Sequence, residues 1–573
     1  MQTHTRGIYL TEVTLAKFLI FIAIGRKICV LGAYSYIQNH GGYLEKFVTK
    51  LKAKNIVKTI SDFDNFIPYK DAGDFQRLTN VFSESEAWME SQFKLNFLKG
   101  EYALACKHII CNRTFSLYKR NYDLHYLENT IVLPVLNSYD NSFFQFRFGK
   151  PLKSNLFEVI SKYLLNISLF ILSLIQCFVW IFSRIRFVNN HQKITFATDY
   201  VGGPRDMKFW DYVNPDKTKT LVVVRDKYTM QAFSHLLGDY KVVFDNEGSF
   251  ALGSGINAWI KSFKDSFLLF VSSSQLPPDY YRQICFLPFK RIKYRALFNK
   301  YKCSFFWGRD DYNYQHIMRS QEIRRIGGVS MGCNHGIQSI STIAYQLRYL
   351  DFDYYYMHGL DQYTDVYSKY WPEYIIAKGV GSMFSNPQQQ AIIKETEGTD
   401  VAIIIAPSFH QDLIYDAIVQ LAKTFSDLTF WIVTKPKHRL EGDFGKKYQS
   451  LILSGLNNVQ ESIEDVYDLL PRCKYVFSES STLLAEAVYF DRIALCFDPD
   501  PLFKFLYYRK FPEMIFRDVK GLIARIQETR YLPVHYNDPN LASLTFKGDR
   551  HPWCIIKEDM ITHESNLNHE KQN

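Results

Sequence analysis

The chain has no C-x-x-C pair among its ten cysteines. Cys106 and Cys111, the nearest two, have no partner cluster with which to complete a zinc site. Scattered thiols of this kind read as reduced side chains in a cytosolic compartment, not as a disulfide framework. A dense Lys/Arg block is also missing. The net charge of +10, from 68 basic and 58 acidic residues, is spread along the chain, which argues against a nucleic-acid surface. A mild positive excess does suit an anionic partner such as a membrane surface or a phosphate-bearing small molecule. A secretory signal is not expected, because the apolar run Phe18 to Ile24 is short, Lys17 precedes it and Arg26-Lys27 follow. Without secretory context the acceptor triplet Asn112-Arg113-Thr114 reads as a chance match.

What is present is ordinary for a folded protein: 47% apolar and 22% charged residues, with aromatics high at 16%. A chain of 573 residues exceeds one core, and three folded units are expected. The most hydrophobic stretch is internal. From Tyr163 to Ser183 no residue is charged, Lys162 precedes the run, and Arg184 and Arg186 follow it. A helix of that length rises about 30 Å, enough for a bilayer core, and Tyr163 and Trp180 sit where interfacial aromatics belong. Basic residues at both ends give no orientation. A single span would separate residues 1–155 from the rest, whereas an in-plane or re-entrant helix would not. Residues 156–188 are therefore expected to associate with a membrane, at the cytoplasmic face of the inner membrane.

Residues 1–155 form an accessory region without recognisable chemistry, with a strand expected near Ile28 to Gly32 and a helix from Ser83 to Leu104. From about 190 short apolar runs alternate with amphipathic helices. Lys193–Thr198, Thr220–Val224, Tyr240–Phe244, Cys303–Trp307, Gly328–Met331 and Phe352–Tyr356 read as strands of a domain over 189–390. Val401–Ala406, Thr429–Val433, Tyr475–Phe477 and Ile493–Phe497 start a second series over 391–550. Strands alternating with helices imply α/β architecture with parallel, doubly wound sheets. Asn386-Pro387 and Gly398-Thr399 read as the linker, and residues 551–573 as a polar, frayed tail.

In such sheets ligands bind beyond the carboxyl ends of the strands, and four segments stand there. Asn334-His335-Gly336 places a histidine able to act as a general base or to donate to a phosphate. Lys435-Pro436-Lys437-His438 can neutralise a pyrophosphate, or be a solvated basic loop. Ser478-Glu479-Ser480-Ser481-Thr482 leads from a strand into a helix, where backbone N–H groups and hydroxyls cradle an anion or simply cap the helix. Glu486, one turn on, is placed to accept from ribose hydroxyls, and Ser408, after the strand Val401–Ala406, joins this donor set. Asp310 and Asp311, after Trp307-Gly308-Arg309, offer a paired carboxylate or a helix cap. Asp351-Phe352-Asp353 and Asp498-Pro499-Asp500 have Asp-x-Asp spacing; the first opens a strand, and the second follows one.

A His-Gly step in the first unit, followed in the second by a Lys-Pro-x-His-like segment and a Ser-rich strand-to-helix turn, resembles one group of GT-B enzymes. Over about 190–530 the chain is similar to bacterial transferases that build cell-surface polymers: CDP-glycerol glycerophosphotransferases, and capsule or lipopolysaccharide transferases using CMP-activated sugars such as Kdo or sialic acid. The resemblance implies two Rossmann-like domains facing a cleft, with Lys435, His438, Ser480 and Ser481 on the donor's phosphate and nucleoside and His335 facing them. The family's Lys-Pro-His-Pro-like segment reads Lys435-Pro436-Lys437-His438-Arg439 here. The expected function is transfer of a sugar from a nucleotide-activated donor to a glycan or glycolipid, without a metal or other cofactor, since basic groups and helix N–H groups can hold the leaving phosphate. A CDP-polyol phosphate transferase, a non-catalytic nucleotide-binding scaffold and a sugar-nucleotide epimerase are the alternatives.

Overall fold

The computed structural model describes residues 8–13, 29–37, 50–51, 54, 56–59, 100–110, 131–133, 156–187, 191–199, 204–225, 231, 235–273, 276, 278–308, 313–334, 336, 345–359, 368–406, 411–435, 438–439, 442–479, 481–499, 507–533 and 538–570. The chain divides into two compact units, one of residues 1–188 with 250–292, the other of residues 189–249 with 293–573.

The first unit carries a parallel sheet of β1 (Ile8–Val13), β2 (Cys29–Ile37), β3 (Val57–Thr59) and β4 (Ile131–Leu133), in the order β3-β2-β1-β4. Residues 103–110 are helical, with Ala105, Cys106, Ile109 and Ile110 buried; most of the helix expected over Ser83 to Leu104 lies outside the described residues. The uncharged run lies in a helix, Leu156–Ser183. It ends at the short strand β5 (Ile185–Arg186), which pairs with β9 (Phe250–Ala251), the strand that opens the helix Leu252–Ser273. The two helices run antiparallel: Phe178 and Phe182 meet Trp259, while Phe170 stacks on Phe270 at 4.7 Å. Residues 250–292, placed by the sequence pattern inside 189–390, thus belong to the first unit. Buried polar side chains fix them there, Asn166 Nδ2 donating to the Leu276 carbonyl (2.8 Å) and Ser173 Oγ to that of Cys285 (2.6 Å).

The second unit holds two all-parallel sheets. The first contains β6 (Gln192–Asp199), β7 (Thr220–Val224), β8 (Lys241–Phe244), β10 (Tyr301–Gly308), β11 (Val329–Cys333), β12 (Tyr354–Met357) and β13 (Ile376–Gly379), ordered β13-β12-β11-β10-β6-β7-β8. The second contains β14 (Asp400–Ile404), β15 (Phe430–Val433), β16 (Val459–Glu461), β17 (Cys473–Ser478), β18 (Ile493–Phe497) and β19 (Ile515–Phe516), ordered β16-β15-β14-β17-β18-β19. Counted within each sheet, both run third-second-first-fourth-fifth-sixth, the doubly wound dinucleotide-fold order, with a seventh strand added at the edge of the first, as the α/β reading of the sequence requires. Helices cover both faces, so central strands such as Thr220–Val224 and Ile493–Phe497 are apolar without alternation and buried throughout.

Two connecting segments differ from expectation. Asn386-Pro387, read as linker, starts the helix Pro387–Glu395 with a capping box between Asn386 and Gln389. Within the segment read as a frayed tail, Pro552–Glu570 is a helix docked on the first sheet's core. Its Trp553, Ile556 and Met560 are buried, Trp553 Nε1 donates to the Met383 carbonyl (2.8 Å), and Asp559 accepts from Tyr356 (2.9 Å) and Lys378 (2.6 Å). The apolar stripe is one residue per turn in a polar segment, so composition hides it.

Candidate functional site

The carboxyl end of β17 lies beside that of β14, at the point where strand order reverses in the second sheet. There Ser478 Oγ donates to the Ile404 carbonyl (2.8 Å), fastening the two strand ends. Ser481 caps the helix Thr482–Tyr489, its hydroxyl accepting from the Leu483 N–H (3.2 Å). Thr482, next in line, meets the first sheet. Gly336, three residues past β11, has φ +143° and lies so close that a β-carbon would overlap the Thr482 hydroxyl. Gly336, after β11 of one sheet, and Thr482, at the helix start after β17 of the other, therefore touch.

A buried hydrogen-bonded chain runs beneath this contact. Asn334 Nδ2 donates to the Gly336 carbonyl (3.1 Å), and Asn334 Oδ1 faces His358 Nδ1 (3.2 Å). His358 Nε2 faces Glu486 Oε1 (3.1 Å), which also accepts from Ser382 (3.1 Å), while Tyr467 donates to Glu486 Oε2 (2.6 Å). Both His358 nitrogens lie within hydrogen-bond reach of an oxygen, so the ring ties Asn334 to Glu486. Burial and the Glu486 carboxylate push the Tyr467 phenol well above its usual range, so it stays a donor. Glu486 is 1% exposed with both oxygens engaged. It is a tie between the sheets, not a carboxylate presented to ribose hydroxyls, which corrects the sequence reading.

The residue that sequence reasoning missed is Arg205. It sits in the first turn of the helix Pro204–Val213, the helix that follows β6. Its guanidinium lies over the rings of Phe384 (5.6 Å) and Tyr467 (5.7 Å) and, among the described residues, has no hydrogen-bond or ion-pair partner. Burial opposes its charge, but Tyr467, Asp465, Glu486 and Asp206 outweigh that and hold its pKa above the usual value. Arg205 borders a small open pocket, about 30 Å³, whose walls include Asp206, Phe209, Trp307, Phe384 and Trp553. The available signal was a basic residue in the helix turn after the first strand of a doubly wound sheet, the position where such folds meet phosphates.

Deeper in the first sheet, Asp199 ends β6 fully buried between Arg225 and Arg319, the latter at 2.5 Å. Asp245, after β8, has its carboxyl pKa raised by burial, with Lys293 and Arg225 acting against that.

The other expected residues divide as follows. His335, Asp310, Asp311, Ser408, Lys437 and Ser480 lie outside the described residues. Lys435 is exposed two residues beyond β15. The His438 ring packs edge-on to Phe444 at 6.1 Å. Arg439 turns away to Glu461 (3.0 Å) and the Ser462 carbonyl (3.2 Å). Ser478 and Ser481 spend their hydroxyl contacts on the strand end and the helix cap, leaving Thr482 at the interface. Of the described Asp-x-Asp residues, Asp498 is clamped by Arg509 and Arg517, each at 2.6 Å, and Asp351 and Asp353 share Arg324; Asp500 lies outside the described residues. Among the described residues no three His, Cys, Asp or Glu side chains gather as a metal site.

No protein-family model matches the chain, and no curated protein does. Solved structures of similar layout include the UDP-GlcNAc 2-epimerase of Neisseria meningitidis bound to UDP-GlcNAc (12% identity, 66% of this chain and 100% of that one, TM-score 0.37). MurG of Acinetobacter baumannii (12%, 65% and 100%, 0.36) and the wall teichoic acid polymerase TagF (10%, 72% and 100%, 0.40) are others. The likeness is distant, and the site is read from this chain's own residues.

Proposed function

We propose that the chain is a glycosyltransferase that moves a sugar from a nucleotide-activated donor to a glycan or glycolipid acceptor. The observation that carries the reading is Arg205, whose guanidinium has no hydrogen-bond or ion-pair partner among the described residues and stands at the edge of a pocket at the carboxyl ends of the first sheet, set over Tyr467 and close to Glu486. A buried, partnerless cation would be costly; an exposed one beside a helix start is a phosphate ligand in waiting. The doubly wound order of both sheets and the meeting of Gly336 with Thr482 support the same reading, as do the motifs shared with GT-B polymer-building enzymes.

In this scheme the donor's phosphates lie between the Thr482 helix start and Arg205, with Lys435 contributing charge from the end of β15. As the bond from the sugar's anomeric carbon to the donor phosphate breaks, negative charge collects on the phosphate, and Arg205 and the helix N–H groups stabilise it. The acceptor hydroxyl gives its proton to a base on the first sheet's carboxyl edge. His335 is assigned as that base, and Asp310 or Asp311 either orients it or is the base itself. The Asn334–His358–Glu486 chain ties the two sheets together beside this site.

Thermal unfolding with UDP-sugars, CMP-sugars, CDP-glycerol and the free nucleotides tests the proposal. A nucleotide sugar should stabilise the wild type, and that stabilisation should be lost in Arg205→Ala. Stabilisation and turnover with CDP-glycerol alone would make the enzyme a polyol-phosphate transferase. Epimerisation of the donor without transfer would make it an epimerase. No response to any nucleotide would leave a scaffold.

A further inference from the structure

The two long helices of the first unit are inside out. In a water-soluble protein the covered stripe of a surface helix is apolar and the open face polar. Along Leu156–Ser183 the covered stripe is Asn166, Ser173, Cys177 and Ile181, spaced at helical intervals, and the first two spend their side chains on the carbonyls of Leu276 and Cys285. The open faces carry ten large apolar side chains, each at least 41% exposed, from Tyr163 to Phe182. On Leu252–Ser273 the covered stripe is Gly255, Ala258, Ser262, Asp265, Ser266, Leu269 and Ser273, while seven large apolar residues, each at least 40% exposed, face outward. Leu252, Ile256, Ile260, Phe263, Phe267 and Val271 follow the helical repeat. A small, polar seam between helices with an apolar exterior is the arrangement of helices solvated by lipid.

A second feature agrees. Ser168, on the open face, returns its hydroxyl to the Leu164 carbonyl (2.8 Å), and Ser272 does the same to Leu268 (2.7 Å). Such internal pairing satisfies hydroxyls where no water is available.

We infer that these two antiparallel helices together form a monotopic membrane-binding face, lying in the plane of one leaflet. The in-plane geometry follows from a polar line on Leu252–Ser273. Asn257, Lys261 and Lys264 are spaced i, i+4, i+7 along the middle of the helix; Asn257 and Lys264 are exposed, and Lys261 bonds Glu101 at 3.2 Å. A spanning helix would put this line at mid-bilayer, where charge is expensive. A helix lying flat puts it at headgroup level, with Ile260 and Phe267 in the acyl region. Arg184, over the Trp180 ring at 5.7 Å, and exposed Arg186 add cationic groups beside the helix pair, which fits an anionic leaflet. The sequence alone marks Tyr163–Ser183; the structure adds the second helix, whose lysines and aspartate make it read as soluble. The inference does not depend on the catalytic reading, since vesicle binding is measured without donor.

The full chain is purified in detergent, exchanged into vesicles of phosphatidylglycerol and phosphatidylcholine, and floated on a density gradient. Ile260→Lys with Phe267→Lys, both at exposed positions and so compatible with folding, should lower the vesicle-bound fraction about tenfold or more with the circular dichroism spectrum unchanged. Unchanged flotation would overturn a role for the second helix. Single-cysteine probes at Ile175→Cys and Phe267→Cys, quenched by lipids brominated at graded depths, should report the same shallow depth from one side. A probe at Ile175→Cys lying at the bilayer centre, with residues either side of it reaching opposite headgroups, would replace the in-plane face by a span.

Discussion

Gly336 and Thr482 touch across the two sheets of the second unit, with no room between them for a β-carbon. This contact brings the loop after β11 to the helix start after β17, so the geometry of the cleft depends on a missing methyl group.

Gly336→Ala should therefore act on both structure and function. The φ of +143° is strained for any L side chain, and the added carbon must displace the Thr482 hydroxyl. A loss of about 1–3 kcal/mol in denaturant unfolding is expected, together with weaker nucleotide stabilisation as the helix start moves. Thr482→Ser, which keeps the hydroxyl and removes only a methyl, should leave unfolding close to wild type. If Gly336→Ala melts and binds as the wild type does, the contact is incidental.

The strands of the second unit were legible because buried parallel strands write themselves as uninterrupted apolar runs; Thr220–Val224 and Ile493–Phe497 match to the residue. What stayed hidden depends on partners far away in sequence. Glu486 looked like a ligand carboxylate because its donors His358, Ser382 and Tyr467 come from elsewhere in the chain. Arg205 carries no motif in the sequence, and only the structure shows that among the described residues no carboxylate bonds to it. The helix Leu252–Ser273 was missed because its charges interrupt an apolar pattern whose sense is inverted, and the Pro552–Glu570 helix because its stripe is thin.

Arg205→Ala should leave unfolding unchanged, since among the described residues the guanidinium bonds to nothing. It should weaken donor binding by about 10–100-fold, the range of a lost charge-assisted hydrogen bond of roughly 1.5–3 kcal/mol. Arg205→Lys should recover part of the loss, because charge survives but the planar fork does not. Titration calorimetry with the stabilising nucleotide measures both; equal affinity in all three proteins would remove Arg205 from the site.

For Glu486 the prediction is the reverse. Glu486→Ala strands buried His358, Ser382 and Tyr467 without their acceptor, and a stability loss of about 3–5 kcal/mol is expected. Donor affinity measured on the folded fraction should change little. A variant of normal stability with weak nucleotide binding would restore the ribose-contact reading.

The last prediction concerns acid. His551 begins the segment that docks the Pro552–Glu570 helix: its Nδ1 accepts from the Trp553 N–H (3.1 Å), so Nε2 carries the proton and donates to the Ser385 carbonyl (3.2 Å). Burial is the main reason its pKa falls to about 4, with nearby Lys394 adding to the effect and the Ser385 bond opposing it. The unfolded chain, with an ordinary histidine near 6.5, takes up a proton that the folded chain refuses. Stability is therefore full above about pH 7, falls as pH drops from about 6.5 to 4, and loses nothing more from this group below that. The difference of about 2.5 pH units corresponds to roughly 3 kcal/mol. In His551→Gln the neutral amide keeps a donor toward Ser385, so this variant should be slightly less stable at neutral pH but lose less between pH 7 and 4. Melting curves over that interval, read by circular dichroism, decide the matter: parallel losses in wild type and variant would show that His551 does not set the acid limit of the docked helix.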